Sequence, residues 1–414
     1  MGARFAAVRC RPWLFLAASA LTLHGAAAAI PASERDALIA FYEAAGGNTW
    51  TQNAGWCDGT CPSSGAPTFN APGTECTWYG VGCDAASTHV VAINLAQNQL
   101  VGSLPSLSAF VALQTLDVHL NQLSGAVPAI AELGQLQIFD VHYNQLSGQV
   151  PTIAGMATLR TFDVFANQLD GPMPALDDLP ALQVLNLDNN FLSGTIPPIG
   201  QLISLRRFDV DSNLFTGQVP APAGLTALEY FGVYNNQLSG VLPSLAGLTA
   251  LRTFDASANQ LSGALPSLSG LAALEYFAAY HNALSGPLPS LSGLTALSYF
   301  DVGSNQLSGG LPDLSGLTAL QRFSVRANRL SGALPSLAGL SALQEVLVDG
   351  NALSGALPAA PASLLPGQST LCPNAFDRID DGAWDAAVGQ TPWWSTPSLC
   401  GDLIFADGFE LNSR

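Results

Sequence analysis

Three kinds of side chain able to do chemistry recur at fixed phases of this sequence. Asp117, Asp140, Asp163, Asp209, Asp255 and Asp301 each stand four residues before an asparagine. On neighbouring β-strands the first three carboxylates would lie ~5 Å apart, near the separation glycosidases use for an acid and a nucleophile. Like charges in a row are costly unless solvated, which counts against a catalytic pair, and the chain is not expected to be an enzyme. His119 and His142 share a phase two before the asparagine, beside Asp117 and Asp140. Two imidazoles with two carboxylates are a plausible donor set for a divalent metal, but a solvated ladder is the simpler reading, and neither metal nor cofactor is expected. The better candidates are aromatic and cationic. Phe165, Tyr234 and Tyr280 lie two before an asparagine, Tyr230, Tyr276 and Tyr299 six before it, with Arg207, Arg322 and Arg326 nearby. Tyr and Arg on a rigid face give large contact area at low entropic cost; strand propensity and partial burial against neighbours would also account for the tyrosines. No phosphate-binding loop, nucleophile–histidine pairing or His-Glu-x-x-His string occurs.

The elements that must hold these side chains come from a repeat. Asn98, Asn121, Asn144, Asn167, Asn190, Asn213, Asn236, Asn259, Asn282, Asn305, Asn328 and Asn351 follow one another at steps of 23 residues. Counted from eight residues before each asparagine, twelve copies run from Val90 to Leu365. Leu116 and Val118 alternate with Thr115, Asp117 and His119, the period of a half-buried strand. One strand per copy, stacked in parallel ~4.8 Å apart, predicts a sheet roughly 55 Å long. Asparagine marks where each strand turns away, and its amide can satisfy backbone groups left unpaired there. Five before it, Phe139, Phe162, Phe208, Phe231, Phe254, Phe277, Phe300 and Phe323 predict a continuous internal spine that no copy could bury alone. The remaining Leu-Ser-Gly-x-Leu-Pro half supplies turns and extended chain for the convex side.

Charge and cysteines bound the compartment and the partners. Arg4, Arg9 and Arg11, an apolar run from Trp13 to Leu23 and Ala26 to Ala29 have the build of a secretory leader over residues 1–29. The mature start is placed near Ile30, and Cys10, ahead of the apolar core, argues against a lipoprotein anchor. That run is shorter than the ~20 residues a bilayer span needs, so no membrane insertion is expected, and the product is secreted or held at the cell surface or periplasm. Beyond the leader, 30 acidic residues face ten arginines and no lysine, a net charge of −20. Such a surface repels phosphate backbones and excludes nucleic acid as a partner. Cys57, Cys61, Cys76, Cys83, Cys372 and Cys400 flank a cysteine-free middle, as disulfides stapling the ends of an exported chain would. Pairing of sequence neighbours (Cys57–Cys61, Cys76–Cys83, Cys372–Cys400) is the expectation, although the first four allow three connectivities. Zinc is the weaker alternative, because the spacing is irregular.

The string L-x-x-L-x-x-N-x-L-S-G-x-L-P resembles the plant-type leucine-rich repeat, the class of plant receptor ectodomains and polygalacturonase-inhibiting proteins, with 23 residues here for the usual 24. The resemblance implies a leucine-rich-repeat solenoid in the α/β class, with a parallel sheet on its concave face and an irregular or 3-10 convex side. It also makes aspartate four before the asparagine a scaffold feature. Residues 30–89 are similar to the N-terminal cap of that family: helical spacing over Glu34 to Ala45 with Ser33 as cap, then Cys76-Thr-Trp-Tyr-Gly-Val-Gly-Cys83. Pro62 to Gly73 reads as a mobile insertion. Residues 366–402, with Trp384, Trp393 and Trp394, read as a closing cap, or as a tryptophan platform for sugar. Residues 403–414 form a tail resembling one on exported proteins of xanthomonad-like bacteria. Protein or peptide recognition by a monomeric scaffold is the function implied; a polysaccharide-binding or adhesive surface protein is the alternative.

Overall fold

The structure, a computed structural model, describes residues 29–395. The leader up to residue 28, Cys400 and the 403–414 tail lie outside the described residues. Within them, the strand Val81–Cys83 pairs antiparallel with Val90–Asn94, and every later copy adds a parallel three-residue strand, from Thr115–Asp117 to Glu345–Leu347. The result is a 13-stranded sheet in which equal phases of the repeat sit opposite one another, Phe139 facing Leu116 on one side and Phe162 on the other. The chain is thus a leucine-rich-repeat solenoid.

The phenylalanine spine exists but is broken once. Phe139 and Phe162 stack at 5.4 Å, and Phe208 to Phe323 form a second run with centroids 5.3–5.8 Å apart. Leu185 stands in register between Phe162 and Phe208 and interrupts them. All of these side chains are fully buried, and each contributes roughly 1.5–3 kcal/mol of hydrophobic stabilisation. Around the spine the asparagines are satisfied completely. Nδ2 of Asn167 donates to the carbonyls of Val141, Val164 and Phe165, and its Oδ1 accepts the Leu146 N–H. The pattern extends one rung past the twelfth copy, where Asn374 accepts from Leu353 and donates to Val348 and Leu371.

A second 13-stranded sheet was not expected from the sequence. It is built from the segment after each asparagine, such as Gln145–Gln149 and Gln168–Pro172, paired in parallel with Gly148 opposite Leu169. Most of these strands turn one leucine inward, with Phe215 in its place in Leu214–Gly217, and their glycines take a left-handed φ, +78° at Gly148. One inward residue and one glycine per strand leave no period to detect, so the segment reads as turn. The stretch that follows is a chain of tight turns without helix, as expected.

Both ends are closed by aromatic residues. The helix Ala32–Ala44 buries Leu38, Phe41 and Tyr42. It begins two residues earlier than expected, at a proline-led start, so Ser33 lies within the first turn and caps nothing. Glu34 is buried instead, and its carboxylate accepts the Val90 N–H and pairs with His89 at 2.7 Å each. Tyr42, Trp50, Trp56, Phe69 and Trp78 form one ring cluster beside the Cys57–Cys61 and Cys76–Cys83 disulfides. The segment read as a mobile insertion is pinned there, because Phe69 packs on Tyr42 and bridges to Cys57. At the far end, Ala375–Phe376 pairs with Ala352–Gly355 and the short helix Gly382–Val388 follows, capped by the Asp381 side chain. Cys372 is disulfide-bonded.

Candidate binding face on the first sheet

The strand period sends residues two, four and six before each asparagine to the outward face of the first sheet. There the expected tyrosines and arginines assemble into one patch. Tyr276 and Tyr299 stack at 4.3 Å with planes 12° apart, while Arg322 lies 5.5 Å over Tyr299 and Arg207 4.0 Å over Tyr230. Tyr234 and Tyr280 approach to 6.3 Å at a 52° tilt across the Ser257 strand. These rings are half-buried rather than exposed, because neighbours in register cover one face of each. The arginines are paired within the face: Arg207 with Asp209, Arg322 with Asp301 and Glu345, Arg326 with Asp349. Their charge is therefore largely neutralised before any ligand arrives.

What remains is acidic. Asp211 lies between Tyr230 and Tyr234, its Oδ2 accepting the Tyr230 hydroxyl at 3.3 Å and its Oδ1 the Tyr234 N–H at 2.6 Å. Burial, reinforced by Asp209 and Asp255, pushes its carboxyl up to about 9. Burial and Asp209 push Asp188 up to about 6, and burial raises Asp163, Asp209 and Asp255 as well. The Tyr230, Tyr276 and Tyr280 hydroxyls rise above the ordinary phenol value, through burial first and the neighbouring aspartates second. Gly232 is what lets these groups meet: a Cβ there would sit 2.7 Å from Asp211 Oδ1 and 2.8 Å from a Tyr230 ring carbon. Asp188 and Asp211 escaped the sequence reading, which followed aspartate only at the phase four before the asparagine. Their signal was the phase two before it, shared with His119, Tyr234 and Tyr280.

The other candidates fall elsewhere. Asp117 and Asp140 are opposite one another in the sheet, but each is engaged by its own histidine, His119 at 2.6 Å and His142 at 2.5 Å, and not by its fellow carboxylate. Trp384 and Trp393 are buried and donate to the Pro358 and Ile379 carbonyls. Neither ring offers a face on which a sugar could stack. Among the described residues, no helix is long and apolar enough to cross a membrane.

Comparison with known proteins places this face in context. The Leucine Rich Repeat family model matches residues 181–201. Among solved structures, a plant peptide hormone receptor, RGFR1 in complex with RGF2, is 33% identical over 65% of this chain and 45% of its own, at a TM-score of 0.63. PEPR1 with AtPEP1 is 26% identical over 84% of this chain and 52% of its own, at 0.69. The Arabidopsis receptor kinase HAESA, solved with the peptide hormone IDA and the co-receptor SERK1, is 29% identical over 85% of this chain and 68% of its own, at 0.59. The chain spans about half the length of the first two. No curated protein matches the sequence.

Proposed function

We propose that this leucine-rich-repeat solenoid of the plant type is an exported, non-catalytic, monomeric scaffold that holds a protein or peptide segment on the concave face of its first sheet. The observation that carries the reading is the patch from Arg207 to Arg326, where five tyrosines crowd adjacent strands with four largely buried aspartates and three paired arginines. Rigid, half-buried aromatics with polar rims are what protein-binding hot spots consist of. The electrostatics narrow the ligand. Asp211 and Asp255 are largely desolvated and accept the Tyr230 and Tyr276 hydroxyls, on the same stretch of the face as the Tyr234 and Tyr280 rings, whose π faces attract cations. A lysine or arginine side chain set between those rings meets a carboxylate and two π faces, so a basic peptide fits the patch better than a neutral or acidic one. RGFR1, a plant peptide hormone receptor, and HAESA, solved with the peptide hormone IDA, support the class of ligand.

The test is selection of a random peptide display library on the immobilised full chain, with affinity of the enriched peptides measured by calorimetry. Enrichment of Lys- or Arg-bearing peptides, with at least tenfold weaker binding to Tyr280→Ala and Tyr276→Ala, supports the reading. Peptides that bind both variants as tightly as the parent would place recognition elsewhere on the molecule.

A further inference from the structure

We propose that His119, His142 and Asp140 form a binding site for a late first-row divalent cation, Zn2+ or its neighbours Ni2+ and Cu2+, three copies and more away from the tyrosine patch. The donors come from the second and third copies, whose strands pair with Asp117 opposite Asp140. That register sets the two imidazoles face to face, 4.4 Å between centroids and 6° between planes. One ligating atom each from His119, Asp140 and His142 lies within 4.8 Å of the other two.

Several features distinguish this cluster from a chance pairing of surface groups. Each imidazole is held through Nδ1 by the aspartate two residues before it, and each of those carboxylates also accepts its histidine's backbone N–H, at 3.3 and 3.2 Å. Asp117, behind His119, is the outer-shell carboxylate that fixes ring orientation and raises donor strength in metal-bound imidazole, whereas Asp140 would exchange its contact with His142 Nδ1 for the ion. The four side chains are 19–22% exposed, so an ion can enter while most bulk water is kept away. Tyr143 and Phe165 wall the site on the side of the fourth copy, 5.7 and 6.4 Å from the His142 ring. Two nitrogens and one carboxylate oxygen, with an open position for water, suit borderline-soft ions and not Ca2+ or Mg2+, which take oxygen. Tetrahedral ligands on a zinc ion stand about 3.3 Å apart. The three donors, within 4.8 Å of one another, would have to draw in by up to about 1.5 Å to hold such an ion.

The experiment uses the untagged full chain, stripped with chelator, and titrates ZnCl2 by calorimetry and CoCl2 by absorption. One equivalent of Zn2+ at micromolar affinity is expected, with visible d–d bands from the Co2+ form and a metal-dependent rise in melting temperature. His119→Ala and His142→Gln should each weaken Zn2+ binding at least tenfold and abolish the bands. Asp117→Asn, a positioning change, should weaken it less, and His281→Ala, at an exposed histidine that packs on Tyr280 far from the cluster, not at all. The metal-free melting temperatures of all four variants separate lost ligation from lost folding. A double variant of His119 and His142 that still binds one equivalent with unchanged affinity overturns the proposal, as does a Co2+ form without d–d bands.

Discussion

Oδ1 of Asn213 accepts the backbone N–H of Leu192 at 2.9 Å, so the asparagine of one copy closes the turn of the copy before it. Its Nδ2 donates to the carbonyls of Leu187, Val210 and Asp211, at 2.9, 3.3 and 2.9 Å. Four backbone groups thus meet one buried side chain. The three carbonyls keep a second donor in Asn190 Nδ2, Asn236 Nδ2 and the Asn189 N–H, so Asn213→Ala strands chiefly the Leu192 N–H, at roughly 1–3 kcal/mol if no water reaches it. The expected result is a clear loss in urea midpoint. A change within about 0.5 kcal/mol, the range of ordinary surface substitutions, would show that water replaces the amide and that the ladder is ornamental.

The residue before each asparagine gives the opposite prediction. Ala258 and Ala327 take φ of +52° and +51°, and Gly350 does the same in the twelfth copy at +68°. A residue with a Cβ pays about 1–2 kcal/mol in that conformation, which glycine does not. Ala258→Gly should therefore hold or raise the melting temperature despite glycine's greater unfolded-state freedom, while Ala258→Val should lower it. A glycine variant that melts well below the parent would mean that the alanine methyl packs more usefully than its strain costs.

How much of this was legible in the sequence depends on how each residue earns its place. Strict recurrence at one spacing announced the asparagine ladder, the buried phenylalanines and the assembly of Tyr230, Tyr276 and Tyr299 on one face, since identical phases must stack in a parallel solenoid. The second sheet was hidden because Leu146 is the only inward residue of its strand and Gly148 reads as a turn. Leu185 breaks the spine through a single substitution that a repeat consensus smooths over. The pairing of Arg207 with Asp209, and the crowding of Asp211 permitted by Gly232, arise across strands. No pattern along the chain contains them.

Asp211 makes stability pH-dependent in a definite direction. Its carboxyl titrates near the ordinary 3.8 when unfolded and at about 9 when folded, so the folded chain binds the extra proton between those values. Stability is then fully present below pH ~4 and falls as pH rises toward 9. Asp211→Asn removes the ionisable group while keeping an acceptor for the Tyr234 N–H. Melting temperatures at pH 5, 7 and 9 should show the variant gaining on the parent at each step. Parallel curves would mean that the carboxyl ionises freely in the folded chain.

The same proton links stability to recognition. At neutral pH the Asp211 carboxyl is mostly protonated, and a lysine or arginine brought between Tyr234 and Tyr280 favours its ionised form. Binding of a basic peptide must then expel a proton, and affinity must rise with pH until the free carboxyl has titrated. Calorimetry at pH 7.5 in buffers of different ionisation enthalpy counts that proton directly. The apparent enthalpy should vary with buffer for the parent chain and lose most of that dependence in Asp211→Asn. Asp188, titrating at about 6, is nearly all ionised at that pH and adds little. Affinity should also weaken with added salt, because partly exposed charges are screened over ~8 Å at physiological ionic strength. Binding that is insensitive to pH, buffer and salt would require a ligand held by its apolar surface, with the aspartates serving only the strands they sit on.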